Sequence, residues 1–291
     1  MSSYDVLYIL IIKSLEAIPY KGLFYIAKVL ALLLYTLPNK HKRISKANLE
    51  LVFPHKTSLQ INSILRDSLF HSIMNILEAG LVWGKKNYKK KPGFINIKNF
   101  SEIENALSSD KGVLLFTPHI GNIEIIINFL GQHTNCTIPY TQPKNKALDK
   151  VITSSRNKSG VKMVDTNIGG VKEMLSALKN KKLVAVASDQ VPKKGAGIIS
   201  KFFNNEIYSM TLLPKLQQRT GCVAYLMYCE RKEKGEGFVI HFDRKIDLSS
   251  DIQEGVDKMN NEFEKCIMKL PGQYSWEYKK FKRTKLDSLY K

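Results

Sequence analysis

Among the residues able to move a proton, the segment Leu114–Glu124, LLFTPHIGNIE, holds the most suggestive arrangement. The apolar run Val113–Phe116 reads as a strand buried on both faces. His119 lies just past its carboxyl end, Gly121 permits a sharp turn, and Asn122 is a good N-cap for a helix over Ile123–Leu130. In open α/β sheets such strand-to-helix turns are where ligands bind. Glu124 follows His119 by five residues. On one unbroken helix that spacing turns through about 500° and points the two side chains roughly 140° apart. The break at Gly121–Asn122 lifts this restriction and lets the Glu124 carboxylate reach the His119 imidazole. A carboxylate on one ring nitrogen fixes the tautomer, raises basicity and leaves the other nitrogen to take a proton. Such a pair suits general-base removal of a proton from a substrate alcohol attacking an acyl thioester; a structural histidine capping the strand end is the other reading. Because that alcohol is itself the nucleophile, no acyl-enzyme is needed.

Other polar residues stand where a pocket could use them. Arg156, in SSRNKSG over 154–160, is a planar cation suited to phosphate or a developing oxyanion, or else an ordinary surface arginine. Asp189 and Gln190 end the apolar run Leu183–Ser188 and should emerge on the same sheet edge as His119, as site residues or as a solvated loop start. With Asn122 they complete the candidate binding residues. No His/Cys cluster has zinc spacing, so no metal and no cofactor is expected.

The elements that must hold these residues follow from periodicity. Ser58–Trp83 repeats apolar residues near every 3.6 positions, and Val256, Met259, Phe263, Ile267 and Leu270 mark one face of a last helix. Strands are expected at Leu183–Val186, Cys222–Tyr228 and Phe238–Phe242, alternating with helices over Gly169–Leu178 and Tyr208–Arg219. Alternation of this kind predicts an α/β fold with a mostly parallel central sheet flanked by helices. The first forty residues are the most apolar, with runs at Val6–Ile12 and Leu23–Leu37, each short of the roughly 20 residues of a clean span. Lys40, His41, Lys42 and Arg43 follow, which places that end on the cytoplasmic side. Residues 1–40 are therefore expected to form an amino-terminal membrane-associated helical segment, spanning or half-inserted, and residues 41–291 the catalytic domain; a buried core helix is the other reading. The basic run over 84–93 reads as a surface loop facing solvent or lipid headgroups.

The chain of 291 residues carries 45 Lys and Arg against 26 Asp and Glu, a formal charge of +19. Such a field favours anionic partners. Nucleic acid is one class, but the basic residues are spread along the chain and no recognised binding motif appears. The four cysteines form no C-x-x-C pair and read as free thiols in a reducing compartment.

Five stretches resemble the late acyltransferases of lipid A synthesis, the lauroyl/myristoyl transferases of Gram-negative bacteria, within the lysophospholipid-acyltransferase-like proteins. They are NLELVFP over 48–54, the Thr117–Glu124 turn, SRNKSG over 155–160, Ser188-Asp-Gln190 with Lys201-Phe-Phe203, and PGQYSW over 271–276 with Lys280-Phe-Lys-Arg283. Their order and spacing match over nearly the whole chain. The resemblance implies transfer of a fatty acyl group from acyl carrier protein, as co-substrate, to a hydroxyl of a Kdo-bearing lipid A precursor. It also implies location at the cytoplasmic face of the bacterial inner membrane. His119 and Glu124 would be the catalytic pair, with Arg156 and Asp189 near substrate or donor. An acidic carrier protein, a phosphorylated precursor and an anionic membrane lipid would all suit one basic surface. The aromatic and basic tail, Tyr274 to Lys285, fits an interfacial contact or a packed tail. A same-fold enzyme acting on a glycerolipid, glycolipid or aminolipid, and an inactive membrane scaffold, remain open alternatives. One departure stands out: YTQP over 140–143 places Gln142 where the family commonly has arginine.

Overall fold

A computed structural model describes the backbone of residues 3–84 and 92–290, with side chains from residue 10 onward. The basic run expected as a surface loop falls largely on residues 85–91 and so lies outside the described residues. In chain order the elements are α1 (Ser3–Ala17), α2 (Tyr20–Thr36), α3 (Lys40–Val52), α4 (Ser58–Gly84), β1 (Ile95–Lys98), α5 (Phe100–Leu107) and β2 (Val113–Thr117). Next come α6 (Ile123–His133), β3 (Cys136–Tyr140), α7 (Lys146–Ser159), β4 (Lys162–Asp165), α8 (Ile168–Lys179) and β5 (Leu183–Ala187). The chain continues through β6 (Gly197–Phe202), β7 (Asn205–Met210), α9 (Leu212–Thr220), β8 (Val223–Arg231), β9 (Phe238–Ile246) and α10 (Ile252–Lys269). A tail of short turns ends the described chain.

Seven strands form one sheet in the order β1-β9-β8-β2-β5-β3-β4. Neighbours are parallel except β8 and β9, which run antiparallel. The mostly parallel, helix-flanked sheet expected from the sequence is therefore present. Side chains alternate between its two faces, as strand geometry requires. Leu114, Phe116, Val184, Val186, Ala224 and Leu226 face one side, packing with Met259 and Phe263 of α10. Val113, Leu115, Leu183, Ala185 and Met227 face the other, with Ile125, Ile126 and Phe129 of α6. Both faces are covered, which is why these strands read as continuous apolar runs.

One expectation is corrected here, and one choice between two readings is made. The helix expected over Tyr208–Arg219 begins only at Leu212, because Tyr208–Met210 belongs to a β6–β7 hairpin. Its two-residue turn, Phe203–Asn204, has positive φ at both positions (47° and 60°), the geometry that matches strand twist. Of the two readings of the tail, the packed one is seen: Tyr274, Trp276, Lys280 and Phe281 are buried. Asn48 explains why. From α3, its amide nitrogen donates to the Trp276 and Tyr278 carbonyls at 2.7 and 2.8 Å, and its oxygen accepts from the Tyr290 hydroxyl at 2.6 Å. The two most distinctive sequence stretches thus hold each other, and Phe53 stacks edge-on against Trp276.

At the amino terminus, α2 packs Leu23 and Ala27 against Met74 and Leu77 of α4, while Tyr25, Val29, Leu32, Leu33 and Leu37 are exposed. Among the described residues no single helix is long and apolar enough to cross a membrane; Leu10–Ala17 and Tyr20–Thr36 together have the composition but are bent by 119°. Helix α3 starts at Lys40, and its N-cap Asn39 accepts a hydrogen bond from the Lys42 amide.

Replacing Asn48 by Ala strands a buried carbonyl, a half-buried one and the Tyr290 hydroxyl. Asn48→Ala should lower the free energy of unfolding by about 2 kcal/mol, measured by denaturant titration in detergent; unchanged stability would show that the tail is held by other contacts.

Candidate active site

β2 and β5 are neighbours, parallel and in register, with Thr117 opposite Ala187. The residues two places beyond each partner, His119 and Asp189, therefore leave the sheet side by side. The Asp189 carboxylate accepts from His119 Nδ1 at 2.5 Å and from the His119 backbone amide at 3.2 Å. Removal from water opposes ionisation of Asp189, but His119 and Lys280 outweigh it and hold its carboxyl down to about 2. An ionised carboxylate can only accept, so Nδ1 carries the hydrogen and Nε2 of the neutral ring is the free basic nitrogen. For the imidazole, burial lowers the pKa, but the Asp189 charge and hydrogen bond prevail and leave it above the ordinary value.

Asp189 is 4% exposed, whereas the His119 side chain keeps 30% of its surface open. The dyad is thus anchored on its acidic side and accessible on its basic side. The tail completes the anchor. Lys280 donates to the Asp189 carbonyl, the Tyr274 hydroxyl is hydrogen-bonded to the Asp189 carboxylate, and the Ser275 amide donates to the His119 carbonyl at 3.1 Å. Burial pushes the Lys280 ammonium down to about 8 against the pull of Asp189.

Glu124 does not meet His119, contrary to the sequence expectation. It receives a 2.5 Å ion pair from Arg156 of α7 and a 3.0 Å hydrogen bond from the Trp83 indole of α4. The break anticipated at Gly121–Asn122 is present, with φ of +59° at Gly121, where a side chain would run into the Cys229 carbonyl. Its effect is to send His119 back toward β5 while Glu124 starts α6 facing α7. Gln190 lies with its amide nitrogen 3.4 Å from His119 Nε2. Arg156 also stacks over the Tyr140 ring, 4.9 Å from its centroid, and Gln142 is exposed just beyond.

Asn122 was expected to bind substrate or donor, but both ends of its amide are engaged. Its oxygen accepts from the Glu124 amide at 2.9 Å, and its nitrogen donates to Glu78 at 2.8 Å. Glu78, on α4, is fully buried and also accepts from Tyr20 at 2.6 Å and from Arg231 at 2.5 and 2.7 Å. Arg231 donates further to Asn75 and to His71 Nδ1, which must be unprotonated to accept; burial and the Arg231 charge push the His71 pKa well down. Removing one partner from such a pair costs about 3–5 kcal/mol, because a charge is left buried and uncompensated. Sequence reasoning passed over Glu78, Trp83 and Arg231, and did not assign Tyr274 or Lys280 to the site. The one available signal was a lone acid, Glu78, in the apolar run over 76–83.

Next to the imidazole opens a cavity of about 330 Å³. Its polar end holds His119, Arg156, Tyr140 and Thr141, while Ile123, Ile126, Ile127, Leu130, Ile138 and Met227 supply an apolar wall. This arrangement can receive a hydrocarbon chain and keep its reacting end at a base.

The sequence as a whole was compared with known proteins. A family of bacterial lipid A biosynthesis acyltransferases matches residues 2–283. A lipid A biosynthesis acyltransferase of Haemophilus influenzae is 26% identical, covering 96% of this chain and 91% of its own. A lipid A biosynthesis lauroyltransferase of Escherichia coli is 23% identical over 91% of this chain and 87% of its own, and a palmitoleoyltransferase of the same organism 21% identical over 91% and 86%.

The His119 titration, followed by NMR of the ring, should have its midpoint above the ordinary value near 6.5. Asp189→Asn should lower it and Glu124→Gln should leave it in place. The opposite pattern would return Glu124 to the imidazole.

Proposed function

The chain belongs to the bacterial lipid A biosynthesis acyltransferase family, and from that premise we propose that it moves a fatty acyl group from acyl carrier protein to a hydroxyl of a Kdo-bearing lipid A precursor, with His119 as general base and Asp189 as its partner. The observation that carries this reading is a solvent-accessible imidazole Nε2, met only by a long 3.4 Å contact from Gln190, at the mouth of an apolar cavity, with Nδ1 tied to a buried carboxylate.

In the proposed reaction Nε2 takes the acceptor's hydroxyl proton as the oxygen attacks the thioester carbonyl. A C–O bond forms, the carbonyl π pair moves to oxygen, and collapse of the tetrahedral intermediate breaks the C–S bond. The imidazolium returns its proton to the departing thiolate. Asp189 holds the ring and stabilises its charge, a role for which an ionised, buried carboxylate is suited. Glu124, no longer the partner of the base, fixes Arg156 over Tyr140 at the cavity's polar end, where the guanidinium can orient donor or acceptor. Gln190, beside Nε2, is placed to contact the reacting oxygen. The acyl chain lies along α6.

An acidic carrier protein suits a chain of +19. Residues 1–40, with the exposed apolar face of α2, serve as the membrane-associated segment and residues 41–291 as the catalytic body, at the cytoplasmic face of the bacterial inner membrane. No metal or cofactor is required, since the base, the nucleophile and the activated thioester suffice.

His119→Ala should reduce transfer by roughly 10²–10⁴-fold, assayed with acyl carrier protein donors and precursor; near-normal turnover would refute the base. Asp189→Asn should slow transfer and move the acid limb of the pH profile downward, because the group that raises the imidazole pKa is gone; Glu124→Gln should leave that limb in place. Ile127→Phe should narrow the cavity and disfavour the longest accepted donor by about tenfold relative to one shorter by a methylene pair, read from competing donors. Mass spectrometry of lipid A from cells with and without the gene tests the whole reading: an unchanged acylation pattern would sink it.

A further inference from the structure

The carboxyl edge of the sheet carries a second cavity, one strand over from the dyad and outside the catalytic groups. β8 is parallel to β2, with Leu226 opposite Phe116, so Arg231 ends β8 beside the Ile120–Gly121 turn that follows β2. Gln273 joins the two places. Its carbonyl accepts from Gly121 at 3.0 Å, and its side chain exchanges hydrogen bonds with the Arg231 backbone at 2.7 and 2.9 Å. On the far side of this junction, between α2, α4 and the turn after β8, the chain leaves about 550 Å³ of open space.

We propose that this cavity binds a phosphomonoester on the glycolipid acceptor while the acceptor's hydroxyl lies at His119; the proposal rests on the function given above. Five cations line the cavity, Lys28, Arg66, Arg231, Lys232 and Lys234, against two acids, Asp67 and Glu233. Burial pushes the Asp67 carboxyl up, favouring its neutral form. Arg231 at the floor is already neutralised by Glu78, so the excess positive charge belongs to the rim. Among the described residues, Lys28, Arg66 and Lys234 have no carboxylate within ion-pair distance. Two of them are held by aromatic rings, Lys28 5.0 Å over Phe24 and Arg66 4.5 Å over Tyr35, while Lys234 is exposed on the turn after β8. Ordered cations with uncommitted charge suit a dianionic phosphate.

Location narrows the ligand to a lipid. Phe24, Lys28, Ala31 and Tyr35 line the cavity along one face of α2, and Val29, Leu33 and Leu37 on its flank are exposed. A cationic recess beside an exposed apolar helix face holds a headgroup while the acyl chains remain in apolar surroundings. The dyad leaves the sheet at the ends of β2 and β5, and the recess lies past the end of β8, the neighbour of β2 about 5 Å across the ladder. A phosphorylated glycolipid headgroup can bridge neighbouring strand ends; a free phosphate ion cannot link the two.

The test compares the intact protein with its Lys28→Ala/Lys234→Ala variant in neutral detergent micelles, using the precursor and its phosphatase-treated form. Both side chains are exposed, and thermal unfolding should be unchanged. The variant should raise KM for the phosphorylated acceptor by about tenfold with kcat within about twofold, while both proteins treat the dephosphorylated acceptor alike. Equilibrium binding of the phosphorylated acceptor, read without turnover, should weaken in parallel. Identical KM and binding for variant and wild type would overturn the proposal. So would equal KM values with reduced sedimentation on phosphatidic acid vesicles, which would assign the cations to the bilayer. If the wild type transfers no acyl group, the proposed function falls, and the binding measurement alone decides the fate of the cavity.

Discussion

Everything at the site depends on one registry: β2 and β5 run parallel and adjacent, with Thr117 opposite Ala187. That pairing brings a histidine and an aspartate seventy residues apart in the chain to within a hydrogen bond, with no need for a special loop. A slip of one residue along either strand would turn every alternate side chain to the other face of the sheet. The apolar layers on both faces forbid such a slip, so core packing and catalytic geometry are specified by the same contacts. The tail reinforces the pair through Tyr274, Ser275 and Lys280, and Asn48 fastens the tail in turn.

A second buried carboxylate organises the other side of the turn. Glu78 gathers Tyr20 from the start of α2, Asn122 from the catalytic turn and Arg231 from the end of β8. Buried ion pairs are seldom a net source of stability compared with apolar packing. This one couples the amino-terminal helices to the turn bearing the base. Movement of α2 against α4 would therefore be felt at Asn122, the residue that starts α6 and orients Glu124.

Charge is distributed by task. The dyad and the Glu78 cluster are locally compensated, so the surplus of the +19 chain lies elsewhere. Some of it gathers on α3, where Lys40, Lys42, Arg43 and Lys46 surround a shallow recess just past the apolar α2, and some around the cavity between α2 and α4. Both lie beside the exposed apolar residues of α2.

The sequence by itself determined the fold class, the buried strands at 113–117 and 183–187, the broken turn after His119 and the emergence of Asp189 on the same edge, because these depend on local periodicity, capping and backbone freedom. It was also enough to place the chain in its family, through motifs whose function in the structure is partly to bind each other, as Asn48 and Trp276 do. Strand order, by contrast, is a long-range property. No spacing within the chain states that β2 lies next to β5, and without that fact Glu124, five residues away, was the natural partner for His119. The β6–β7 hairpin was hidden because its turn uses Phe203 and Asn204 in place of glycine. Burial of the Lys280 tail was hidden because aromatic and basic residues suit an interface as well as they suit a core. Only the tertiary structure decided which carboxylate serves the imidazole, since a proton follows distance in space, and that distance was set by the packing of two sheet faces.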